Sequence, residues 1–200
     1  MKNRAFAITY DYRCPFARIL HGHLVLGLRA GAPWEVEFLP FTLTQGHLEP
    51  GEADCWDDES KAPELLALEI SIAAAELFPD SFLDLHHELF EFRHDKYGDL
   101  RNADLLYGLA QACGMDVEVL KDQLASGSPR AQIAKQWSHL ANDLEVFGVP
   151  TFVIGDDAIF VRLLDPATDA QASIALIEDL LAQMIDQPTI NEFKHTRLPY

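Results

Sequence analysis

The sequence predicts an α/β fold in which a short β-sheet carries a long helical insertion. Near the start of the chain, a run rich in β-forming residues (6–10) is followed by the pair Cys14-Pro15 and then by a helical pattern. Far along the chain, Pro150 directly precedes the β-branched, apolar run 151–154. Helical patterns fill most of the stretch between them, from about residue 62 to residue 146.

The first strand and helix follow from local signals. Residues 6–10 alternate in character, as a half-buried strand does. Pro15 suits a first helical turn, since the N–H it lacks would have no helical partner there. Residues 17–28 carry apolar side chains at helical spacing, and Gly31 is a plausible stop. Cys14 is therefore expected at the N-terminus of a helix.

This position favours a reactive thiol. Unpaired N–H groups and the helix dipole stabilise an anion at a helix N-terminus. Arg13 and Arg18 add positive charge nearby in the sequence. We therefore expect a depressed pKa for Cys14 and a nucleophilic sulfur. A buried structural cysteine is the alternative.

The remaining elements alternate in the same way. Residues 34–41 predict a second strand, parallel to the first because a helix intervenes. Glycine, proline and acidic residues between about 43 and 60 predict a loop. A strand at 158–163 should pair with 151–154 across Gly155. Helices are predicted over 63–77, from Ser81 to about 94, from Asn102 or Asp104 to Gly114, over 116–125, from Ser128-Pro129 to about 145, and from Thr168 or Asp169 to about 184.

Pro150 leaves one question open at this stage. It is either trans at the first residue of a strand or cis in a tight turn. A cis bond would turn the backbone of Val149 outward, so that its N–H and C=O could pair with a bound peptide or thiol.

The chain resembles the DsbA-like branch of the thioredoxin superfamily, and especially its cytoplasmic, FrnE-type members. The resemblance rests on residues 11–16, on residues 148–152 and on the order of elements; the tail 191–196 is also similar to endings of actinobacterial members. It implies a thioredoxin-like fold with a helical insertion. Residues 1–59 and 147–200 would form the thioredoxin-like domain, and residues 60–146 would form the inserted helical domain. It also implies that Cys14 is the attacking thiolate and that Pro150 is a cis-proline facing it.

The active-site motif of the resemblance is Cys14-Pro15-Phe16-Ala17, and it departs from the dithiol pattern at Ala17. The resemblance therefore implies a thiol–disulfide oxidoreductase with one active-site cysteine, whose mixed disulfide an external thiol must resolve. No tightly bound cofactor and no metal is expected; glutathione or mycothiol would be the co-substrate. Val149, Pro150, Arg13 and Arg18 are the expected substrate-binding residues.

Two other functions stay open. Kappa-class glutathione transferases and hydroxychromene carboxylate isomerases share this fold branch but carry serine at the position that matches Cys14. A thiol-dependent transferase or isomerase is therefore one alternative function. A redox-inactive module that binds a peptide or thiol is the second alternative function. The expected partners are a low-molecular-weight thiol and a disulfide or electrophilic substrate, and the oligomeric state is left open.

Composition limits the classes of function. The formal net charge of −17 argues against binding to nucleic acid or to an anionic membrane. Three cysteines without a close pair do not form a disulfide framework. The first residues run directly into the predicted strand, so no secretory signal is expected. We therefore expect a reduced, cytoplasmic protein.

Other residues receive less specific expectations. His86, His87 and His94 lack the spacing of a zinc pair and are expected at the surface. His21 shares a helix face with Cys14 but lies two turns away, so we expect it to orient or pack. Cys55 is more simply a bystander than a resolving thiol, and Cys113 is expected in the core. Asp11 would accept a proton or hold the loop before Cys14 by hydrogen bonds.

Overall fold

The computed structural model describes residues 4–192 and residue 194. Phe193, His195 and Thr196 of the tail therefore lie outside the described residues. The elements follow the order β1 (Arg4–Tyr10), α1 (Pro15–Arg29), β2 (Trp34–Pro40), α2 (Leu43–Gly46), a 3₁₀ turn (Glu59–Lys61), α3 (Ala62–Leu77), α4 (Pro79–His94), α5 (Ala103–Ala112), α6 (Val117–Ala125), α7 (Ser128–Asn142), β3 (Thr151–Ile154), β4 (Asp157–Phe160) and α8 (Ala170–Asp186). In this part of the chain, no helix combines the length and apolar character needed to cross a membrane.

The four strands form one sheet in the order β2-β1-β3-β4. β1 runs parallel to β2, as predicted, and antiparallel to β3. β3 and β4 form the predicted hairpin, in which Ile154 pairs with Asp157. The end of β1 therefore leads into the segment that carries Cys14, next to the start of β3.

Two apolar clusters hold the sheet between helices. Helices α1 and α8 pack against each other and cover one cluster, which includes Ile8 and Phe152 from the sheet. A second and larger cluster joins the end of β1 to the inserted helices; it contains Tyr10, Tyr12 and Cys14. The nucleophile predicted from the sequence thus lies in the layer between the sheet and the insertion.

Several boundaries differ from the predicted ones. α4 begins at Pro79 rather than at a Ser81 cap, because proline fits the first helical position without losing a hydrogen bond. α7 ends at Asn142 instead of about 145. β4 ends at Phe160 rather than 163, because its partner β3 has only four residues to pair with it. The predicted loop 43–60 contains the short helix α2, which Thr42 caps.

Candidate active site

Cys14 occupies the N-cap of α1. Its backbone is extended, and Pro15 follows at the first helical position. The Ala17 N–H lies 3.5 Å from Cys14 Sγ and donates to it, so the sulfur replaces the usual capping oxygen. The side chain of Ala17 is fully buried. These positions agree with the predicted placement of Cys14 at a helix N-terminus.

The segment before β3 meets Cys14 in space. Cys14 Sγ lies 3.3 Å from the Val149 carbonyl oxygen, to which its S–H donates. The Val149–Pro150 bond is cis, the isomer that the resemblance implies. Thr151 holds this turn in place, since its N–H donates to Thr9 Oγ1 at 2.8 Å and its hydroxyl donates to the Gly148 carbonyl at 2.8 Å. The structure therefore brings together the two segments that the sequence analysis paired.

The expected depressed pKa of Cys14 is wrong in direction. Burial raises the pKa of this thiol above its ordinary value, and the nearby Asp11 carboxylate raises it further. The N–H groups of Ala17 and Phe16 and the charge of Arg162 lower the pKa but do not outweigh burial. The Cys14 residue is only 7% exposed, and in its resting state the thiol is a protonated donor.

Arg13 and Arg18, the two arginines expected near Cys14, form ion pairs with other residues. Arg13 forms an ion pair with Glu64 and donates to Thr44 Oγ1 at 3.1 Å. Arg18 forms an ion pair with Asp95 of the α4 C-terminus. Their role in substrate binding stays a prediction.

Arg162 is the cation that sequence reasoning missed. It follows β4, and its guanidinium carbon lies 4.3 Å from the centre of the Phe16 ring. The signal that could have found it is the predicted hairpin, because pairing of the two strands brings the residues after β4 back toward Pro150. Val161 N–H does donate to the Pro150 carbonyl, at 3.2 Å.

Asp11 holds the loop that precedes Cys14. Its buried carboxylate accepts from the N–H of Arg13 at 2.9 Å and from the N–H of Leu43 at 2.8 Å. Its backbone carbonyl accepts from the Cys14 N–H at 3.0 Å. Burial raises the pKa of the carboxyl, and these donors oppose that shift. Of the two roles considered for Asp11, these contacts support holding the loop.

The expected surface position is wrong for His86, the first of the three histidines on α4. His86 is fully buried, with its ring packed against Tyr10 of β1 and Phe38 of β2. His94 is half-buried and bonds the Tyr12 carbonyl at 2.9 Å, and the partly exposed His87 faces Glu91 at 3.2 Å. The sequence misleads here because the surface of α4 that carries His86 is covered by residues distant in the chain.

His86 belongs to a buried hydrogen-bond chain with a defined direction. A carbonyl only accepts, so His21 Nε2 donates to Thr9 O at 3.1 Å. The other nitrogen of the neutral His21 ring, Nδ1, then accepts from His86 Nε2 at 2.8 Å. His86 Nδ1 in turn accepts from the Tyr12 hydroxyl at 2.8 Å. We call this chain, from Tyr12 through His86 and His21 to Thr9, the histidine relay; it ties α4 to α1 and β1.

Comparison with known proteins identifies the family. The model of the DSBA-like thioredoxin domain matches residues 65–170, more than half of the chain. The chain belongs to the DSBA-like thioredoxin domain family. The matched residues include the cis-proline turn and most of the insertion but not Cys14. No curated protein sequence matches this one.

Solved structures show the same DsbA-like thioredoxin fold with its helical insertion. BdbD from Bacillus subtilis in its oxidised form is 19% identical with a TM-score of 0.60, over 91% of this chain and 87% of its own. The cytosolic disulfide reductase DsbM from Pseudomonas aeruginosa with GSH is 15% identical with a TM-score of 0.59, over 88% and 98%. A thioredoxin-like oxidoreductase from Silicibacter pomeroyi DSS-3 is 19% identical with a TM-score of 0.58, over 91% and 86%.

The other cysteines of this DsbA-like chain are poorly placed for exchange. Cys55 is fully buried, and burial raises its pKa to about 12, so almost none of it is thiolate at neutral pH. Cys113 is partly buried against the insertion core, and burial raises its pKa too. All three cysteines are free. The structure therefore favours the bystander interpretation of Cys55 over a resolving thiol.

The raised pKa of Cys14 predicts an alkaline pH profile. Only the thiolate attacks, so the alkylation rate at Cys14 should rise about tenfold per pH unit through neutrality, without a plateau below about pH 8.5. The measurement is alkylation by iodoacetamide, followed by mass spectrometry, in a Cys55→Ala/Cys113→Ala background. A plateau near neutral pH would instead mean that the helix N-terminus outweighs burial.

The histidine relay predicts a loss of stability in acid. Burial lowers the pKa of His21 to about 4, and it lowers the pKa of His86 well below its ordinary value. Between pH 6.5 and about 4 these two histidines therefore bind more protons in the unfolded chain than in the folded one, so their contribution to stability falls as the pH falls. The full stability is present above about pH 6.5. For His21 alone the loss is on the order of 3 kcal/mol at 1.36 kcal/mol per pKa unit.

Urea denaturation at stepped pH measures this loss. The informative range is about pH 5 to 6.5, above the ordinary pKa of carboxyl groups. An unfolding free energy that stays constant across this range would contradict a neutral relay.

Proposed function

We propose that this protein is a thiol–disulfide oxidoreductase in which Cys14 is the only nucleophile and an external low-molecular-weight thiol completes the cycle. The observation that carries the proposal is the meeting of Cys14 Sγ with the Val149 carbonyl at 3.3 Å, beside the cis Val149–Pro150 bond. The helix position that would hold a resolving cysteine carries Ala17 instead. This arrangement supports attack on a disulfide but supplies no internal second thiol.

The exchange takes place in two steps. Cys14 loses its proton to solvent, and the thiolate attacks one sulfur of the substrate disulfide. A Cys14–substrate disulfide forms, the substrate S–S bond breaks, and the other half leaves as a thiolate. A small thiolate then attacks the substrate sulfur of the mixed disulfide and releases the Cys14 thiolate. One half of the substrate thus leaves as a thiolate and the other as a mixed disulfide with the small thiol, and each step breaks one S–S bond and forms one.

Different groups around Cys14 stabilise its thiol and its thiolate forms. In the resting state the Val149 carbonyl accepts the thiol hydrogen, which stabilises the protonated form. Once the proton has left, that carbonyl no longer has a donor, and the Ala17 and Phe16 N–H groups stabilise the thiolate. A bound substrate that donates an N–H to the Val149 carbonyl would replace the lost bond. Substrate binding and ionisation of Cys14 would therefore favour each other.

Glutathione or mycothiol is the proposed co-substrate, and the cytoplasm the proposed location. The solved DsbM, a cytosolic disulfide reductase described with GSH, has this fold. A monothiol cycle needs a reducing pool of small thiol, which a reducing compartment supplies. The strongly acidic charge, −17, is consistent with a substrate that is neither nucleic acid nor membrane.

One observation favours a second candidate, a thiol-dependent transferase or isomerase. The resting Cys14 is protonated and donates to Val149, as a serine hydroxyl could. In that case the side chain would orient the thiolate of a bound thiol and would not itself form a covalent bond. Retained turnover of an electrophilic substrate in Cys14→Ser would support this candidate over the redox one.

The test of the proposal is intact mass after incubation with glutathione disulfide. Wild-type protein should gain one glutathione, which reduced glutathione removes, and Cys14→Ser should gain none. Cys113→Ala is the matched control, because it removes a partly exposed cysteine and should still gain the adduct. An adduct that persists in Cys14→Ser would overturn the proposal. So would full turnover by that variant of any disulfide that the wild type reduces.

A further inference from the structure

An exposed arginine stands at the edge of the candidate active site. The Arg162 guanidinium stacks over Phe16, two residues after Cys14, with 4.3 Å between the guanidinium carbon and the ring centre. It also lies 5.7 Å from the centre of the Phe160 ring. Phe160 contacts Phe147 with 5.2 Å between ring centres, and Phe147 is 78% exposed. We call these four residues, Phe16, Phe147, Phe160 and Arg162, the Arg162 cluster.

The hairpin places this cluster beside the cis-proline turn. The Val161 N–H donates to the Pro150 carbonyl at 3.2 Å, which positions the residue that follows it. Phe147 lies two residues before Val149, whose carbonyl accepts from Cys14. The cluster therefore borders the nucleophile on the side of β4, through backbone contacts as well as ring contacts.

Arg162 differs from the other arginines near Cys14 in its partners. Arg13 and Arg18 are neutralised by Glu64 and Asp95. Among the ion pairs formed within residues 4–192, none includes Arg162, which remains exposed to solvent. Its positive charge is among the groups that lower the pKa of Cys14, and its guanidinium carbon lies over the Phe16 ring, which leaves the N–H donors of the exposed side chain without an ion-pair partner among these residues.

The negative charge of the whole chain makes a local cation important for binding an anion. A net charge of −17 opposes the approach of an anion, although salt screens that repulsion beyond about 8 Å. A cation within a few ångströms of the binding surface is not screened in the same way. A guanidinium at the rim would therefore attract an anionic disulfide against the overall repulsion.

We propose that Arg162 binds a carboxylate of the small thiol or of its disulfide, and so selects an anionic peptide thiol as co-substrate; this inference rests on the proposed function above. The planar guanidinium and a carboxylate form two parallel hydrogen bonds. The aromatic side chains of the cluster would contact the apolar part of the same molecule. Arg162 is thus a specificity-determining residue and does not take part in the covalent steps.

The experiment compares two disulfides that differ in charge. Glutathione disulfide carries carboxylates, and hydroxyethyl disulfide carries none. For wild-type protein and the Arg162→Gln and Arg162→Lys variants, kcat/KM is measured for each disulfide with the same neutral reducing thiol. In Arg162→Gln the ratio of kcat/KM for glutathione disulfide to that for hydroxyethyl disulfide should fall about tenfold, the effect of one charge-assisted hydrogen bond. The loss should appear mainly in KM, and lysine should restore part of it.

A distant variant controls for net charge. Arg29→Gln removes a surface arginine at the opposite end of α1, about 20 Å from Cys14, and should leave the ratio unchanged. Calorimetric binding of S-methylglutathione, which cannot exchange, gives a readout independent of turnover. Its affinity should fall about tenfold in Arg162→Gln and not in Arg29→Gln.

The outcomes separate this inference from the proposed function. If wild type reduces both disulfides and Arg162→Gln loses the same factor on each, Arg162 acts on the reactivity of Cys14 and the inference is overturned. An unchanged ratio also overturns it, while the redox proposal stands. If wild type reduces neither disulfide but binds S-methylglutathione in an Arg162-dependent way, the redox proposal fails and carboxylate recognition is upheld.

Discussion

A second cysteine at position 17 is expected to free the reaction from added thiol. The Ala17 N–H already lies 3.5 Å from Cys14 Sγ, since Cys14 caps α1 and Ala17 lies in its first turn. A thiol in Ala17→Cys would attack the Cys14 mixed disulfide in a unimolecular step, for which effective molarities reach about 10⁵ M in well-oriented systems. We expect substrate release at least about a hundredfold faster than with millimolar external thiol. Stopped-flow release of a chromogenic thiol from the preformed mixed disulfide measures this rate.

Ala17→Ser is the matched control for this variant. It adds a group of similar size at the same buried position but supplies no resolving thiol. Release in Ala17→Ser should therefore still depend on the concentration of external thiol. If release in Ala17→Cys also depended on that concentration, position 17 would not face the sulfur as the structure places it.

Replacement of His86 by leucine should cost on the order of 3 to 5 kcal/mol of unfolding free energy. Leucine fills a comparable volume, so the loss comes chiefly from hydrogen bonds. The Tyr12 hydroxyl would lose its acceptor and His21 Nδ1 its donor, and each unpaired buried group costs about 1–3 kcal/mol. Urea denaturation followed by circular dichroism measures the difference.

The neighbouring residue provides the control for His86. His87 is partly exposed and faces Glu91 on the same helix, so His87→Leu should change the unfolding free energy by no more than about 0.5 kcal/mol. Equal losses for the two variants would contradict the buried relay. They would mean that α4 tolerates leucine poorly at either position.

The parts of the fold that the sequence predicted correctly are those determined by residues close together in the chain. The strand before Cys14, the parallel second strand and the hairpin across Gly155 follow from alternation and turn residues, and the structure confirms them. Helix caps at Asn102, Asp116 and Asp169 also lie at or next to the predicted starts, because capping depends on residues within one turn. The errors at Ser81 and at the end of β4 arose where a neighbouring proline or a short partner strand overrode the local pattern.

The site was less predictable, because its electrostatics depend on contacts made across the chain. Arg13 and Arg18 are close to Cys14 in sequence but pair with Glu64 and Asp95, whereas Arg162 is far in sequence and near in space. The direction of the Cys14 pKa shift reversed for the same reason: packing that a single segment does not reveal buries the sulfur. The burial of His86 likewise depends on rings from β1, α1 and β2.

The histidine relay also limits the ways in which a substrate can reach Cys14. Opening the insertion like a lid would pull α4 away from α1 and β1 and would break both buried hydrogen bonds of His86, to Tyr12 and to His21. The inserted helices therefore act as a fixed wall of the cleft. On the hairpin side, Phe147 is exposed to solvent, and the Arg162 guanidinium lies over the rings of Phe16 and Phe160. We therefore expect a substrate to approach Cys14 from the hairpin side and not through a separation of the inserted helices.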